Sequence, residues 1–146
     1  MVLGEIDLTV RVLISLGLGA LIGLERERDE EPAGLRTHML VCMGATLFTV
    51  ISLSFSDAAD PTRIAAGIVM GIGFLGAGTI FKIQDKIKGL TTAADLWVLA
   101  GIGMAVGIGY YFVAIVTAFL VLATLYFGRI LKKAKPQQGE SNELLS

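Results

Sequence analysis

Eighteen consecutive uncharged residues, Ile64 to Phe81, constrain this chain more than any other feature. As a helix the run is about 27 Å long, close to the roughly 30 Å of a bilayer's hydrocarbon core. Five glycines lie inside it: Gly67, Gly71, Gly73, Gly76 and Gly78. In water each would cost a helix about 1 kcal/mol relative to Ala. In lipid a single span has no other way to satisfy its backbone, and glycines let neighbouring helices approach closely. The run is therefore expected to be the central membrane helix, packed on by the others. Gly71-x-Gly73-x-x-Gly76 also spells a dinucleotide-binding fingerprint, but that motif needs a preceding strand, and here the glycines sit inside an apolar run.

Four further apolar stretches flank it, in a chain of 146 residues that is 54% hydrophobic. Long apolar runs between short charged clusters define the integral membrane class. The pattern predicts an all-α polytopic protein with five transmembrane helices, at about 6–24, 37–55, 64–81, 91–108 and 112–128. Residues 1–131 form the membrane domain and 132–146 a polar tail. The small-residue pairs Gly19/Gly23 and Gly103/Gly107 add packing faces to those of the third span. Asp60-Pro61 reads as a helix start, Asp at N-cap and Pro at N1, with Arg63 in pairing reach of Asp60. Arg11, near the start of the first span, is expected to snorkel to the interface.

Charge placement orients the bundle. Arg26, Arg28, Arg36, Lys82, Lys86, Lys88, Arg129, Lys132, Lys133 and Lys135 follow spans one, three and five, which is ten of the twelve Lys and Arg. Cytoplasmic loops carry the basic excess, so the N-terminus is expected outside and the C-terminus in the cytoplasm. No removed signal peptide is expected, and no nucleic-acid-type basic patch occurs. One cysteine, Cys42, excludes an internal disulfide framework and reads as a small packing residue.

That topology gathers Glu25, Glu27, Arg36, His38, Lys82 and Asp95 near the cytoplasmic face. Magnesium is held through one or two carboxylates with retained waters, and Glu25, Glu27 and Asp95 could supply them. Arg26, Arg36 and Lys82 could equally neutralise the same acids in a structural ion-pair cluster. Asp95 carries two readings as well. An ionisable residue within a span is a functional candidate, whereas Thr92-x-x-Asp95 is a capping-box pattern at a helix start. His38 reads first as an interfacial polar group. Cys42 and His38 lie one turn apart without a third catalytic member, so no enzyme is expected.

These residues carry a family resemblance. Gly23-Leu24-Glu25-Arg26-Glu27, Ala33-Gly34-Leu35-Arg36-Thr37-His38, Asp60-Pro61-Thr62-Arg63, Gly71-Ile72-Gly73-Phe74-Leu75-Gly76-Ala77-Gly78 and Gly89-Leu90-Thr91-Thr92-Ala93-Ala94 occur in one order. With Leu96-Trp97 and Gly101-Ile102-Gly103-Met104-Ala105, the chain resembles the MgtC/SapB family from about Leu16 to Tyr111. The resemblance implies a multi-span protein of the bacterial or archaeal plasma membrane, linked to growth under magnesium limitation and to survival of pathogens in host cells. Two functions are implied: magnesium (Mg2+) transport, or restraint of the ATP synthase through contact with its membrane sector. Homo-oligomers are expected from the glycine faces. With about eighteen residues after Gly128, the chain is similar to the short form without a soluble C-terminal domain. Asp95 stands where the family pattern has a small or uncharged residue, and Gly67 where it often has a polar one.

Overall fold

A computed structural model describes residues 4–55, 60 and 62–134, the last three without side-chain detail. Five helices follow in order: α1 (Glu5–Arg28), α2 (Leu35–Ser54), α3 (Thr62–Gly78), α4 (Leu90–Ile108) and α5 (Tyr111–Ala134). Between α3 and α4 lies a small antiparallel hairpin, β1 (Phe81–Ile83) with β2 (Lys86–Lys88). Four of the helices are long and apolar enough to cross a membrane, and α3 is a shorter apolar helix of 17 residues.

The apolar runs become helices where the sequence places them, but the ends differ. The first helix runs past Leu24 and stops at Arg28, because Glu30 takes a left-handed backbone (φ 53°) that breaks the turn. The third stops at Gly78, so Phe81 belongs to the hairpin and not to the helix. The fifth runs on past Gly128 to Ala134. Asp60 does cap α3: its carboxylate accepts the Thr62 N–H at 2.9 Å and the Thr62 hydroxyl at 2.7 Å. These two bonds hold its carboxyl below the usual carboxylate range. No ion pair joins Asp60 to Arg63 among the described residues. Pro61 and the tail from Lys135 onward lie outside them.

The organising helix is α4, not α3. Leu96, Leu99, Ala100, Gly103, Val106 and Gly107 recur at helical spacing and are all buried. On α3 only Ile72 and Gly76 are buried. Both ends of α4 rest on left-handed glycines. Gly89 precedes it at φ 88°, where a side chain would strike the Thr79 carbonyl, and Gly109 ends it at φ 90°. The N–H groups after the helix bond back to the Val106 and Ala105 carbonyls, closing the turn into α5 within two residues.

Close backbone approach is concentrated on α2, which lies between α1 and α4. A Cβ on Gly19 would sit 2.7 Å from the His38 carbonyl, and one on Gly23 would sit 2.8 Å from the Leu35 Cα. On the other side, a Cβ on Gly107 would sit 2.7 Å from the Thr49 Cβ, and Gly103 lies against the Cys42 carbonyl and Ala45. The Thr46 hydroxyl spans that second contact, donating to the Gly103 carbonyl at 2.7 Å. Cys42 is fully buried at the same junction. In α3 Gly76 packs on Ala93, whereas a Cβ on Gly67, Gly71, Gly73 or Gly78 would meet nothing within 4 Å among the described residues. Glycine content alone does not make a helix central, because a bare backbone needs a partner with complementary bulk.

Candidate functional site

One end of the bundle, where α1 ends and α2 and α4 begin, collects buried charge. Arg26 is its hub, 3% exposed. Its Nε lies 2.9 Å from Asp95 Oδ2, and its Nη2 lies 3.3 Å from Glu31 Oε1. Glu25 stands further off, at 3.7 Å from Nη1. Thr92, fully buried, accepts from Arg26 at 3.3 Å and donates to Glu31 Oε2 at 3.1 Å. The planar guanidinium presents five donors in fixed directions, which suits it to bridging several acceptors at once.

His38 closes the cluster from α2. It is fully buried inside the bundle. Its Nδ1 lies 2.9 Å from the Gly34 carbonyl, which can only accept, so this nitrogen donates. That bond turns the ring so that Nε2 faces Asp95 Oδ1 at 3.3 Å. Asp95 thus has one oxygen toward Arg26 and the other toward His38. The capping-box reading of Asp95 also fails. Gly89 is the N-cap of α4 and Leu90 its first residue, which leaves Asp95 more than a turn inside.

The remaining expected residues separate. Glu27 turns away from Asp95 and accepts the Leu35 N–H at 2.9 Å, so it caps α2 from the end of α1. Gly34 lies so close to this carboxylate that a Cβ would collide with it. Arg36 is exposed, and Lys82 sits on the exposed hairpin 3.9 Å from Asp85. Among the described residues no three His, Cys, Asp or Glu side chains form a group that could hold a metal ion. Glu25, Glu27 and Asp95 are therefore not brought together as a ligand set. Glu25 instead lies 3.2 Å from Arg129 of α5, which also pairs with Asp29, its Nε at 3.0 Å.

Residues that the sequence did not single out complete the network. Asp29, Glu31 and Arg129 carry no local signature of this role: Glu31 meets Thr92 across 61 positions and Arg129 meets Asp29 across 100. Arg11, expected to snorkel, turns inward at the opposite end. Its Nη1 donates to the Gly107 carbonyl at 2.6 Å, its Nε bonds Asp7 at 2.9 Å, and its cation lies 6.0 Å from the Tyr111 ring centre. A cation at the last turn of α4 complements the helix dipole.

The long apolar helices and the arginine-centred cluster between them define a polytopic helical membrane protein with a polar lock at one end. The family follows from comparison. Residues 12–134 match the MgtC family model, and the chain belongs to that family. It is 45% identical over 122 residues to a protein of Escherichia coli (strain K12) named "Putative magnesium transporter YhiD", covering 78% of this chain and 56% of that protein. It is 50% identical over 105 residues to Protein MgtC of Brucella abortus (strain 2308), covering 71% of this chain and 44% of the other. Protein MgtC of Salmonella typhimurium (strain 14028s) is 46% identical over 113 residues, with 77% and 48% covered. The chain thus spans about half the length of the curated relatives it matches. No solved structure matches it.

Proposed function

We propose that this chain is a multi-span plasma-membrane protein serving magnesium-linked adaptation by contact with other membrane proteins, not by conducting the ion itself. One observation supports this reading above others. The most deeply buried acid of the cluster, Asp95, is already matched to Arg26 and His38 within the chain. A carboxylate held this way lends its charge to structure, and freeing it for a passing cation would take from buried Arg26 its shortest ion pair. The proposed arrangement has all five helices in the bilayer, α3 included, with the N-terminus outside and the cluster at the cytoplasmic face, as the basic residues favour. The proposed partners are a second copy of the chain and, following the family resemblance, the membrane sector of the ATP synthase.

A second reading, magnesium transport, draws on the name given to YhiD and on one local feature. Four carboxylates (Glu25, Asp29, Glu31 and Asp95) face only two arginines, Arg26 and Arg129. The surplus of negative charge would attract cations to this end. Magnesium flux into liposomes holding only the purified chain separates the two. The contact reading expects flux no higher than in empty liposomes, together with poor growth of a deletion strain at low magnesium. Flux that disappears in Glu25→Gln would instead establish transport.

A further inference from the structure

We propose that the groove between α2 and α3 is a binding site for one phospholipid, with an acyl chain along the groove and the headgroup phosphate on Arg63. The groove has a volume of about 700 Å³ and an almost wholly apolar lining. Leu40, Gly44 and Phe48 of α2 form one wall, and Ile68, Gly71 and Leu75 of α3 the other. That volume lies within the roughly 300–1,000 Å³ typical of small-molecule sites. The glycines hold it open: a Cβ on Gly44, Gly67 or Gly71 would meet nothing within 4 Å.

The chemistry of its two ends selects the occupant. Arg63 lines the groove at the first turn of α3, the sole charged group among the described residues of its wall. Its guanidinium has no ion pair among the described residues, and the acid nearest in sequence among them, Asp60, is bonded to Thr62. A guanidinium with no ion pair among the described residues, at the head of an apolar trough, fits an amphiphile with an anionic head, and Arg pairs with phosphate through parallel N–H donors. Length agrees. Arg63 to Leu75 is twelve residues of helix, or roughly 18 Å, and one leaflet of the hydrocarbon core is about 15 Å deep. The site depends on α3 lying in the bilayer, as proposed above.

The test is native mass spectrometry of the purified chain in detergent, titrated with phosphatidylglycerol or with diacylglycerol of the same acyl chains. One phosphatidylglycerol should be retained per chain, and diacylglycerol should bind about tenfold more weakly, the worth of one charge-assisted contact. Arg63→Gln should abolish that difference. Gly67→Leu and Gly71→Leu should abolish binding of both lipids without lowering the melting temperature, whereas Gly73→Leu, off the groove wall, should change nothing. Undiminished phosphatidylglycerol binding in Gly71→Leu, or equal binding of both lipids by the unaltered chain, would overturn the proposal. So would groove variants that keep the lipid but convert a dimer to a monomer, since a second copy then fills the groove. Insertion of α3 is read separately. Gly73→Cys in a Cys42→Ala background should resist a water-soluble maleimide in intact membranes that readily labels Lys86→Cys. Fast labelling at position 73 would refute the bilayer position of α3, whatever the lipid result.

Discussion

Asp95→Ala is the most direct test of the polar lock. The substitution removes the carboxylate that pairs with Arg26 Nε at 2.9 Å and lies 3.3 Å from His38 Nε2, at a site where the Asp95 side chain is 4% exposed. Removing one partner of a buried pair costs about 3–5 kcal/mol, because the other charge stays buried and uncompensated. Glu31 at 3.3 Å and Glu25 at 3.7 Å remain near Arg26, which places the loss toward the lower end. At roughly 2–4 °C per kcal/mol for a chain of this size, the melting temperature should fall by about 10 °C. Trp97, half-exposed on the same helix, reports unfolding by fluorescence in detergent. Removing the pair together is the control. Arg26→Met combined with Asp95→Ala should recover much of the loss, giving a coupling of at least about 1 kcal/mol. An Asp95→Ala variant melting within a degree of the unaltered chain would refute the reasoning. So would a double variant whose loss is the simple sum of the two single ones.

Two further outcomes use the same melts. Gly103→Leu should lower the melting temperature severely, since overpacking costs about 1–3 kcal/mol and here the added atoms meet the Cys42 backbone, while Gly73→Leu should leave it unchanged. Equal effects at the two positions would reverse the ranking of α4 over α3. Glu27→Ala should cost about 1 kcal/mol, the usual worth of a helix cap, because the Leu35 N–H loses its acceptor. A loss as large as that of Asp95→Ala would show that Glu27 belongs to the buried cluster after all.

Much of this architecture is legible in the sequence because bilayer thickness imposes a length on apolar runs, and that signal is local. The runs around Ile6–Leu24 and Thr91–Ile108 convert directly into α1 and α4. Centrality is not local. The glycine-rich Ile64–Phe81 run stands out in sequence, yet the tight contacts belong to Gly19, Gly23, Gly103 and Gly107, whose partners on α2 carry the bulk. The site divides the same way. Charge at the membrane edge shows that Glu25, Arg26 and Asp95 can gather at one end, but not which acid Arg26 takes. Thr92-x-x-Asp95 matches a local pattern by coincidence, and the helix start at Gly89 removes its meaning. Residue type alone places Glu27 in the candidate metal set, whereas its reach to Leu35 follows from the turn at Pro32–Gly34, whose geometry is not written in any single residue.

Arg11 and Arg26 fasten α1 to α4 at two points, one at the Gly107 carbonyl and one at Asp95. On α1 they are fifteen residues apart, about 22 Å of helix. Two rivets at that separation remove the freedoms that one would leave. The helices can neither slide past each other nor roll without breaking a charged bond at one end. Among the described residues no such fastening reaches α3, whose buried positions are Ile72 and Gly76. The register of α1 on α4 is thus fixed by charge at both ends, whereas α3 keeps its place on α4 by the fit of Ile72 and Gly76.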